Sequence, residues 1–291
     1  MLQHIRHDRI LELKLVRPPA NAFNLELLTA LNSALESAQD EGCEAVILSG
    51  APGLFSGGLD VPTLLTLDRE GVIATWGMFM RVCATLAGLP VPVVAALTGH
   101  SPAGGAVISL FCDYRVMARG NEKGEFKIGL NETQVGLVVP EAIQYALKRL
   151  VGERIGERLL VAGEMIESSR ALQIGMVDAL CEIDAVVPQA LAWLQAHLAL
   201  PRQAMLTTRR MSRRGLLDAI SAPAAQDIGA FIDGWYHPET QAVLKALVAK
   251  LGKGRVGAAS DDGSFEMSNG RRLGENGRLR IPWCGYPLSR V

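Results

Sequence analysis

The sequence lacks the patterns that hold disulfides, zinc or nucleic acids. Its five cysteines are scattered and no Cys-x-x-Cys pair occurs, so we predict neither a disulfide framework nor a zinc site and expect a reducing compartment. A formal net charge of −1 gives no support for a nucleic-acid or membrane-surface partner. No apolar run approaches the length of a membrane span, and the first residues lack the apolar segment of a signal peptide. These absences predict a cytoplasmic protein that binds neither nucleic acid nor membrane.

Two widespread motifs are also missing. No Gly-x-x-x-x-Gly-Lys-Ser/Thr loop occurs, and no Gly-x-Gly-x-x-Gly follows a strand-like segment, so a nucleotide phosphate loop is not predicted. Gly99-His-Ser101 begins like the Gly-x-Ser-x-Gly elbow of serine hydrolases, but Pro102 follows the serine. The residue at that position has to donate its N–H to the oxyanion hole, and proline has no N–H. The sequence therefore argues against a serine hydrolase.

The N-terminal region has the pattern of an α/β protein. Ile10–Val16 alternates with the period of a strand, Asn24 is a suitable N-cap for a helix over Leu25–Gln39, and Ala45–Ser49 is a short apolar strand. Strand, helix and strand in this order favour the α/β class. Hydrophobic content of 49% over 291 residues is enough for a sizeable core in one large domain, or in one domain with an appendage.

The stretch from Val91 to Cys112 is the most informative part of the chain. Val91–Thr98 predicts a buried strand and Gly99–Gly105 a tight turn, and a buried helix is expected to begin near Ala103 or Gly104. The first N–H groups of a helix have no intrahelical partner, so such a junction can bind a phosphate, a carboxylate or the oxyanion of a thioester carbonyl. Close packing of the helix on the strand at the glycines explains the same pattern about as well.

A second glycine turn, Ser56–Asp60, also follows strand-like sequence. Two such turns at one end of a sheet can direct two backbone N–H groups at a single oxygen. An enolate formed from a thioester needs donors of this kind, and each contributes about 2.7–4 kcal/mol in comparable sites. The pair of turns therefore makes an oxyanion hole a specific hypothesis for this chain.

Enolate chemistry also needs a base, and Glu132 is the candidate. Its sequence neighbourhood is otherwise apolar: Ile128, Leu130, Val135 and Leu137. Apolar burial raises the pKa of a glutamate towards neutrality and so makes it a competent general base. A glutamate in this position can equally cap the first turn of a helix. The residues alone do not decide between the two interpretations.

From Asp184 onwards the pattern is helical only. Helices are expected over residues 185–200, 202–214, 224–235 and 239–251. The last two have more apolar residues than a surface helix needs, which predicts burial against another subunit. The chain is therefore divided into a core (1–195), a helical oligomerisation region (196–252) and a loosely ordered tail (253–291) that is rich in Gly, Ser, Asn and Arg.

Four arginines fall within the helix predicted over residues 202–214: Arg209, Arg210, Arg213 and Arg214. A solvated helix face is the favoured interpretation. The alternative is that one or two of them contact phosphates of a ligand, because a guanidinium binds phosphate through two parallel hydrogen bonds.

Four segments together resemble the crotonase, or enoyl-CoA hydratase/isomerase, superfamily. They are Phe55-Ser-Gly-Gly-Leu-Asp60, Ala96-Leu-Thr-Gly-His-Ser-Pro-Ala-Gly-Gly105, Cys112-Asp-Tyr-Arg115 and Gly129-Leu-Asn-Glu-Thr-Gln-Val-Gly136. The resemblance covers roughly Leu11 to Leu251. Each motif is weak by itself, but the order and spacing of the set are specific. Ser-Pro-Ala-Gly-Gly and Gly-Leu-Asn-Glu-Thr-Gln are most similar to the mitochondrial-type Δ3,Δ2-enoyl-CoA isomerases within the superfamily.

The resemblance implies a fold, a substrate class and a site. The fold would be a spiral of ββα turns with a C-terminal helical region that forms a homotrimer or a dimer of trimers. The substrate would be an acyl-CoA thioester, with no separate cofactor and no metal, since coenzyme A is part of the substrate. The oxyanion donors would be the N–H groups of Leu59 and Gly104. The substrate pocket would be lined by Gly57, Gly58, Leu59, Asp60, Val61, Gly104 and Asn131.

The resemblance also distinguishes between reactions. Hydratases of the superfamily use two glutamates, of which one falls on Glu132 and the other on Val107. Adding water needs paired carboxylates, whereas moving a double bond needs one base. We therefore predict a Δ3,Δ2-enoyl-CoA isomerase of fatty acid β-oxidation, with Glu132 as the catalytic base. The alternatives are a hydratase, another acyl-CoA activity of the superfamily such as thioester hydrolysis, or a non-catalytic acyl-CoA binding protein.

Overall fold

The computed structural model describes residues 1–222 and 228–258, with side chains up to residue 250. Met1–Lys250 form one compact unit, and Leu251–Val291 form a second. The start of the helix predicted at residue 224 and most of the tail predicted from residue 253 lie outside the described residues.

The described residues form twelve strands and twelve α-helices. The strands are β1 (Leu2–His7), β2 (Ile10–Leu15), β3 (Ala45–Ser49), β4 (Gly53–Leu54), β5 (Val93–Leu97), β6 (Gly99–Pro102), β7 (Tyr114–Ala118), β8 (Gly120–Asn121), β9 (Gly124–Glu125), β10 (Lys127–Gly129), β11 (Ile166–Glu167) and β12 (Ala179–Cys181). The helices are α1 (Leu25–Ser37), α2 (Val61–Leu64), α3 (Arg69–Gly88), α4 (Gly104–Leu110), α5 (Glu141–Val151), α6 (Glu153–Ala162), α7 (Ser168–Gln173), α8 (Val186–Leu198), α9 (Arg202–Ser212), α10 (Arg214–Ser221), α11 (Ile228–Tyr236) and α12 (Pro238–Ala258). Two short 3-10 helices span Glu132–Val135 and Ile183–Ala185.

The larger sheet confirms the α/β prediction. Its six strands lie in the order β1-β2-β3-β5-β7-β12. All neighbours are parallel except the antiparallel pair β1–β2. Every residue of β3 and β5 is buried, as expected of strands covered on both faces. Helix α1 begins where predicted, because the Asn24 side chain accepts a hydrogen bond from the Leu27 N–H at 3.0 Å.

A second sheet of four short strands, in the order β11-β10-β6-β4, corrects one prediction. Gly99–Pro102 form strand β6 instead of a tight turn. A Cβ at Gly99 would lie 1.9 Å from the carbonyl carbon of Gly53, so glycine is required here by the close approach of β4. Strands β3 and β4 with α3, and β5 and β6 with α4, form successive ββα units, as the predicted spiral requires.

Helix α3 is long and apolar enough to cross a membrane by length and composition, which corrects the expectation that no apolar run approaches that length. It contacts α1, α4, α10 and α11 and buries Val72, Trp76 and Phe79 among other residues. Helix α3 is therefore packed against four other helices within the core of the protein.

The prediction of a single helix over residues 202–214, which contains the four arginines, is also corrected. Helix α9 ends at Ser212, and a further helix, α10, begins at Arg214. Arg209 forms two hydrogen bonds to the Asp113 carboxylate, at 2.9 and 2.8 Å, and Arg213 approaches the same carboxylate at 3.0 Å. These two arginines are therefore neither solvated nor free for phosphates, and they attach α9 and α10 to the start of β7. Arg210 and Arg214 are exposed, as a solvated face predicts.

The apolar residues of the last two helices pack mainly within the chain. Phe231, Ile232, Trp235 and Leu244 are buried without any second subunit. The Phe231 ring stacks on Trp76 of α3, with 3.7 Å between ring centroids. The prediction that another subunit buries these helices is therefore wrong for these four residues. Val243 and Leu247, in contrast, are exposed. Assembly as a trimer remains a prediction from the resemblance.

Candidate active site

Three neighbouring parallel strands bring the predicted site residues to one edge of the smaller sheet. Strand β6 pairs in parallel with β4 on one side and with β10 on the other. The chain continues from β4 to Leu59, from β6 to Gly104 and from β10 to Glu132. Because the carboxyl ends of parallel strands meet at the same edge, these segments converge there. The three segments that contain Leu59, Gly104 and Glu132 therefore leave the sheet at the same edge.

The two predicted oxyanion donors are adjacent. A Cβ built on Gly104 would lie 3.3 Å from the Leu59 nitrogen, and one built on Gly58 would lie 2.9 Å from the Gly104 nitrogen. Within residues 1–222 and 228–258, the Leu59 N–H donates to no backbone group. Gly104 is the first residue of α4, so its N–H has no intrahelical partner. Two neighbouring N–H groups therefore have no backbone partner in the described part of the chain.

The residue before Gly104 has a strained backbone. Ala103 has φ +45° and ψ −121°, a region that L-residues with a Cβ rarely adopt. Its N–H donates to the Gly129 carbonyl at 2.8 Å, which fixes it to β10. This conformation sets the orientation of the next peptide, which contains the Gly104 N–H. Sequence patterns did not indicate it, because an alanine gives no signal of a positive φ.

An N-terminal loop fixes the first glycine turn. The Asn21 side chain donates to the Phe55 carbonyl at 3.2 Å, and the Ser56 hydroxyl donates to the Asn21 carbonyl at 2.8 Å. The Gly57 N–H donates to the Ala20 carbonyl at 2.8 Å. Asn21 has φ +47°, which asparagine tolerates better than most residues. No motif in the sequence indicates this role for the segment before α1.

Asp60 has a different role from the other predicted pocket residues. Its Oδ1 accepts a hydrogen bond from the Thr63 N–H at 3.1 Å and caps α2, and its Oδ2 pairs with Arg17 at 2.6 Å. Its carboxylate is therefore used in holding the turn. Gly57, Leu59 and Val61 alternate with the buried Gly58 and Asp60 and are each partly exposed.

Glu132 lies in the 3-10 helix that follows β10, directly after Asn131. The side chain at the N-cap position, Asn131, forms no cap hydrogen bond at the start of this helix. The Glu132 Oε2 and the Asn131 Oδ1 are both buried and have no hydrogen-bond partner in the described part of the chain. Burial raises the pKa of Glu132 from 4.5 to about 7, and a hydrogen bond from its own backbone N–H opposes this rise. Glu132 is thus suited to accept and release a proton near neutral pH.

Val107 occupies the first turn of α4. It is buried, and its N–H donates to the Ala103 carbonyl at 2.9 Å. The position at which the resemblance expects a second carboxylate is therefore apolar and packed. Among residues 1–222 and 228–258, no three His, Cys, Asp or Glu side chains lie close enough together to hold a metal ion.

Comparison with known proteins agrees with this geometry. Residues 6–250 match the enoyl-CoA hydratase/isomerase family. The human mitochondrial enoyl-CoA delta isomerase 1 is 32% identical over 241 residues, which are 82% of this chain and 79% of that protein. A probable enoyl-CoA hydratase of Mycobacterium tuberculosis is 28% identical over 219 residues, covering 75% of this chain and 80% of that protein.

Solved structures give the same result. The crystal structure of human mitochondrial delta3-delta2-enoyl-CoA isomerase has a TM-score of 0.80 and 28% identity, and the match covers 87% of this chain and 99% of that one. An enoyl-CoA hydratase from Bacillus halodurans, with a TM-score of 0.75 and 20% identity over 84% of this chain and 99% of that one, shares the fold. On these grounds the chain belongs to the enoyl-CoA hydratase/isomerase family.

Proposed function

We propose that this enzyme is a Δ3,Δ2-enoyl-CoA isomerase. The observation that carries the proposal is the carboxyl group of Glu132, whose Oε2 is buried and unpaired and whose pKa is about 7. The resemblance places Val107 where a hydratase has its second carboxylate. The similarity to the human isomerase supports the same reaction, while the similarity to a hydratase keeps hydration as the outcome to be tested.

The reaction needs one base and one oxyanion hole. The thioester oxygen of a 3-enoyl-CoA accepts hydrogen bonds from the N–H groups of Leu59 and Gly104. Glu132 removes a proton from C2, and the electron pair is delocalised into a dienolate that the two donors stabilise, by about 2.7–4 kcal/mol for each donor. The protonated Glu132 then delivers its proton to C4, which yields 2-trans-enoyl-CoA and regenerates the carboxylate.

An ultraviolet assay with two substrates tests this proposal. An isomerase converts 3-hexenoyl-CoA into a conjugated thioester and so raises the absorbance of the conjugated system. A hydratase instead lowers the absorbance of 2-hexenoyl-CoA, and a binding protein changes neither. We expect a rise with the first substrate and little change with the second. The reverse pattern would assign the chain to hydration.

The pH dependence of kcat/KM should follow the ionisation of Glu132. The base has to be deprotonated, and burial raises its pKa to about 7. We therefore expect kcat/KM to fall about tenfold per pH unit below about pH 7 and to level off above it. Initial rates at low 3-hexenoyl-CoA concentration in constant ionic strength measure this. An acidic limb near the ordinary glutamate value would show that the base is exposed or is another group.

Val107→Glu should restore part of a hydratase. Two carboxyl groups close together in an apolar site repel, so one is expected to hold a proton near neutral pH. The variant should therefore hydrate 2-hexenoyl-CoA measurably while its isomerase rate falls. A thermal melt must accompany the assay, because a charge-capable group enters a packed site. A folded variant with an unchanged isomerase rate and no hydration would show that Val107 lies outside the reacting region.

A further inference from the structure

Helix α12 contacts the segment that contains Glu132. The Thr240 hydroxyl donates a hydrogen bond to the Gly136 carbonyl at 2.8 Å. Thr240 is 1% exposed, and Leu244, one turn further along the helix, is completely buried. These two side chains of α12 are therefore buried, and Thr240 contacts this segment directly.

The approach is too close for any side chain at position 136. Gly136 has φ +80°, and a Cβ there would lie 2.7 Å from the Thr240 Oγ1 and 3.1 Å from the Thr240 Cα. Glycine thus meets two requirements at once, a left-handed backbone and a backbone-to-helix contact. This pairing of Gly136 with Thr240 indicates a specific attachment of the turn to α12.

A short path of hydrogen bonds connects Thr240 to the base. The Gly136 carbonyl belongs to the same peptide unit as the Leu137 N–H, and that N–H donates to the Glu132 carbonyl at 3.0 Å. The hydroxyl of Thr240 therefore holds the peptide that closes the turn on Glu132, and hydrogen bonds in such a series polarise one another.

A second contact attaches the 3-10 helix to α6. The Thr133 hydroxyl donates to the Leu160 carbonyl near the end of α6 at 2.6 Å. The 3-10 helix therefore has a contact with α6, and the glycine that follows it has a contact with α12. Thr240 lies outside residues 1–195, the region predicted to form the core, and belongs to the C-terminal helical region.

We propose that Thr240 is a positioning residue for Glu132: through Gly136 and Leu137 it holds the carboxyl group in its buried, reactive position. This inference rests on the proposed function, in which Glu132 is the base. Without the hydroxyl of Thr240, the turn relaxes and the carboxyl group gains access to water. The base is then both misplaced and less basic.

Thr240→Val tests this, because valine keeps the branched shape and removes the donor. We expect kcat to fall about three- to tenfold, the change that corresponds to one net hydrogen bond, with KM for 3-hexenoyl-CoA within about twofold. The acidic limb of kcat/KM should move to lower pH by about half a unit or more, since a more hydrated Glu132 has a lower pKa. Thr240→Ser keeps the hydroxyl, so it should have the wild-type kcat and the wild-type position of the acidic limb.

A matched control separates positioning from general stability. The Thr85 hydroxyl also joins two elements, since it donates to the Asn32 Oδ1 at 2.7 Å between α3 and α1. Thr85→Val should lower the melting temperature and leave kcat and the acidic limb unchanged. If Thr240→Val does not fold, Thr240→Ala removes the same hydroxyl without adding a methyl group and is judged by the same criteria.

The outcomes distinguish this inference from the proposed function. If Glu132→Gln is inactive but the Thr240 variants lacking the hydroxyl keep the wild-type kcat and acidic limb, the positioning role is overturned and the proposed function stands. A failure of Thr240→Ser to restore the rate overturns it as well. If Glu132→Gln keeps its activity, the proposed function itself fails, and the positioning role fails with it.

Discussion

Glu132→Gln is expected to lower the turnover of 3-hexenoyl-CoA by about 10²–10⁴-fold, the usual contribution of a positioned general base. Glutamine keeps the shape of the side chain and can still form hydrogen bonds, but it cannot accept the C2 proton. Binding of the CoA thioester should be nearly unchanged, because the N–H groups of Leu59 and Gly104 are not altered. Steady-state rates together with titration of a non-reactive acyl-CoA measure the two effects separately.

A matched control is Glu141→Gln, since Glu141 is exposed in the first turn of α5 and its loss removes the same charge. It should keep the wild-type rate within about twofold, as is usual for a surface substitution. A Glu132→Gln variant that retains more than a few per cent of wild-type turnover would exclude Glu132 as the base.

The same substitution should also stabilise the folded protein at alkaline pH. The pKa of Glu132 is raised in the folded state, so its favourable contribution is complete below pH 4.5 and is lost as the pH rises through about 7. Glutamine does not ionise. Urea unfolding should therefore show Glu132→Gln to be more stable than wild type by about 1–3 kcal/mol at about pH 8, with little difference at about pH 4.

Gly58→Ala should lower kcat/KM by about 10²–10³-fold, comparable to the loss of one oxyanion donor. A Cβ at this position would lie 2.9 Å from the Gly104 nitrogen and 3.2 Å from the Ala103 Cβ. One of the two glycine turns has to move, so the Leu59 and Gly104 N–H groups no longer converge. The left-handed backbone, with φ +82°, adds a strain of about 1–2 kcal/mol.

Gly53→Ala separates these two effects. Gly53 has a similar φ of +86°, but a Cβ there would have no atom within 4 Å. This variant should lose stability through the same backbone strain and keep its activity within about twofold. Equal activity losses in the two variants would mean that strain, and not displacement of the oxyanion donors, explains the effect of Gly58→Ala.

Elements governed by local patterns were predictable from the sequence. Helix α1 has its cap at Asn24 and a stripe of leucines that face the core, and β3 and β5 are continuous apolar runs between turn residues. Each of these signals lies within about ten residues of the element that it specifies. The motif around Glu132 was also sufficient to select the candidate base, although it left the capping interpretation open.

Features that depend on distant contacts were not predictable. The glycine at position 99 indicated a turn, whereas the approach of β4 at Gly53 makes it a strand residue. Arg209 and Arg213 appeared as part of a charged helix face, because nothing local showed that Asp113 would bind them. The unpaired Glu132 Oε2 and the contact of Thr240 with Gly136 likewise arise only when segments far apart in the chain meet.

The central claim is that one carboxyl group removes the C2 proton and returns it at C4. Wild-type enzyme with 3-hexenoyl-CoA deuterated at C2, quenched within the first turnovers and examined by mass spectrometry and NMR, tests it directly. The proposed mechanism predicts conjugated product in which part of the deuterium has moved to C4, and no such product with Glu132→Gln. Conjugated product whose C4 gains only solvent hydrogen from the first turnover, or hydrated product without deuterium transfer, would contradict the claim.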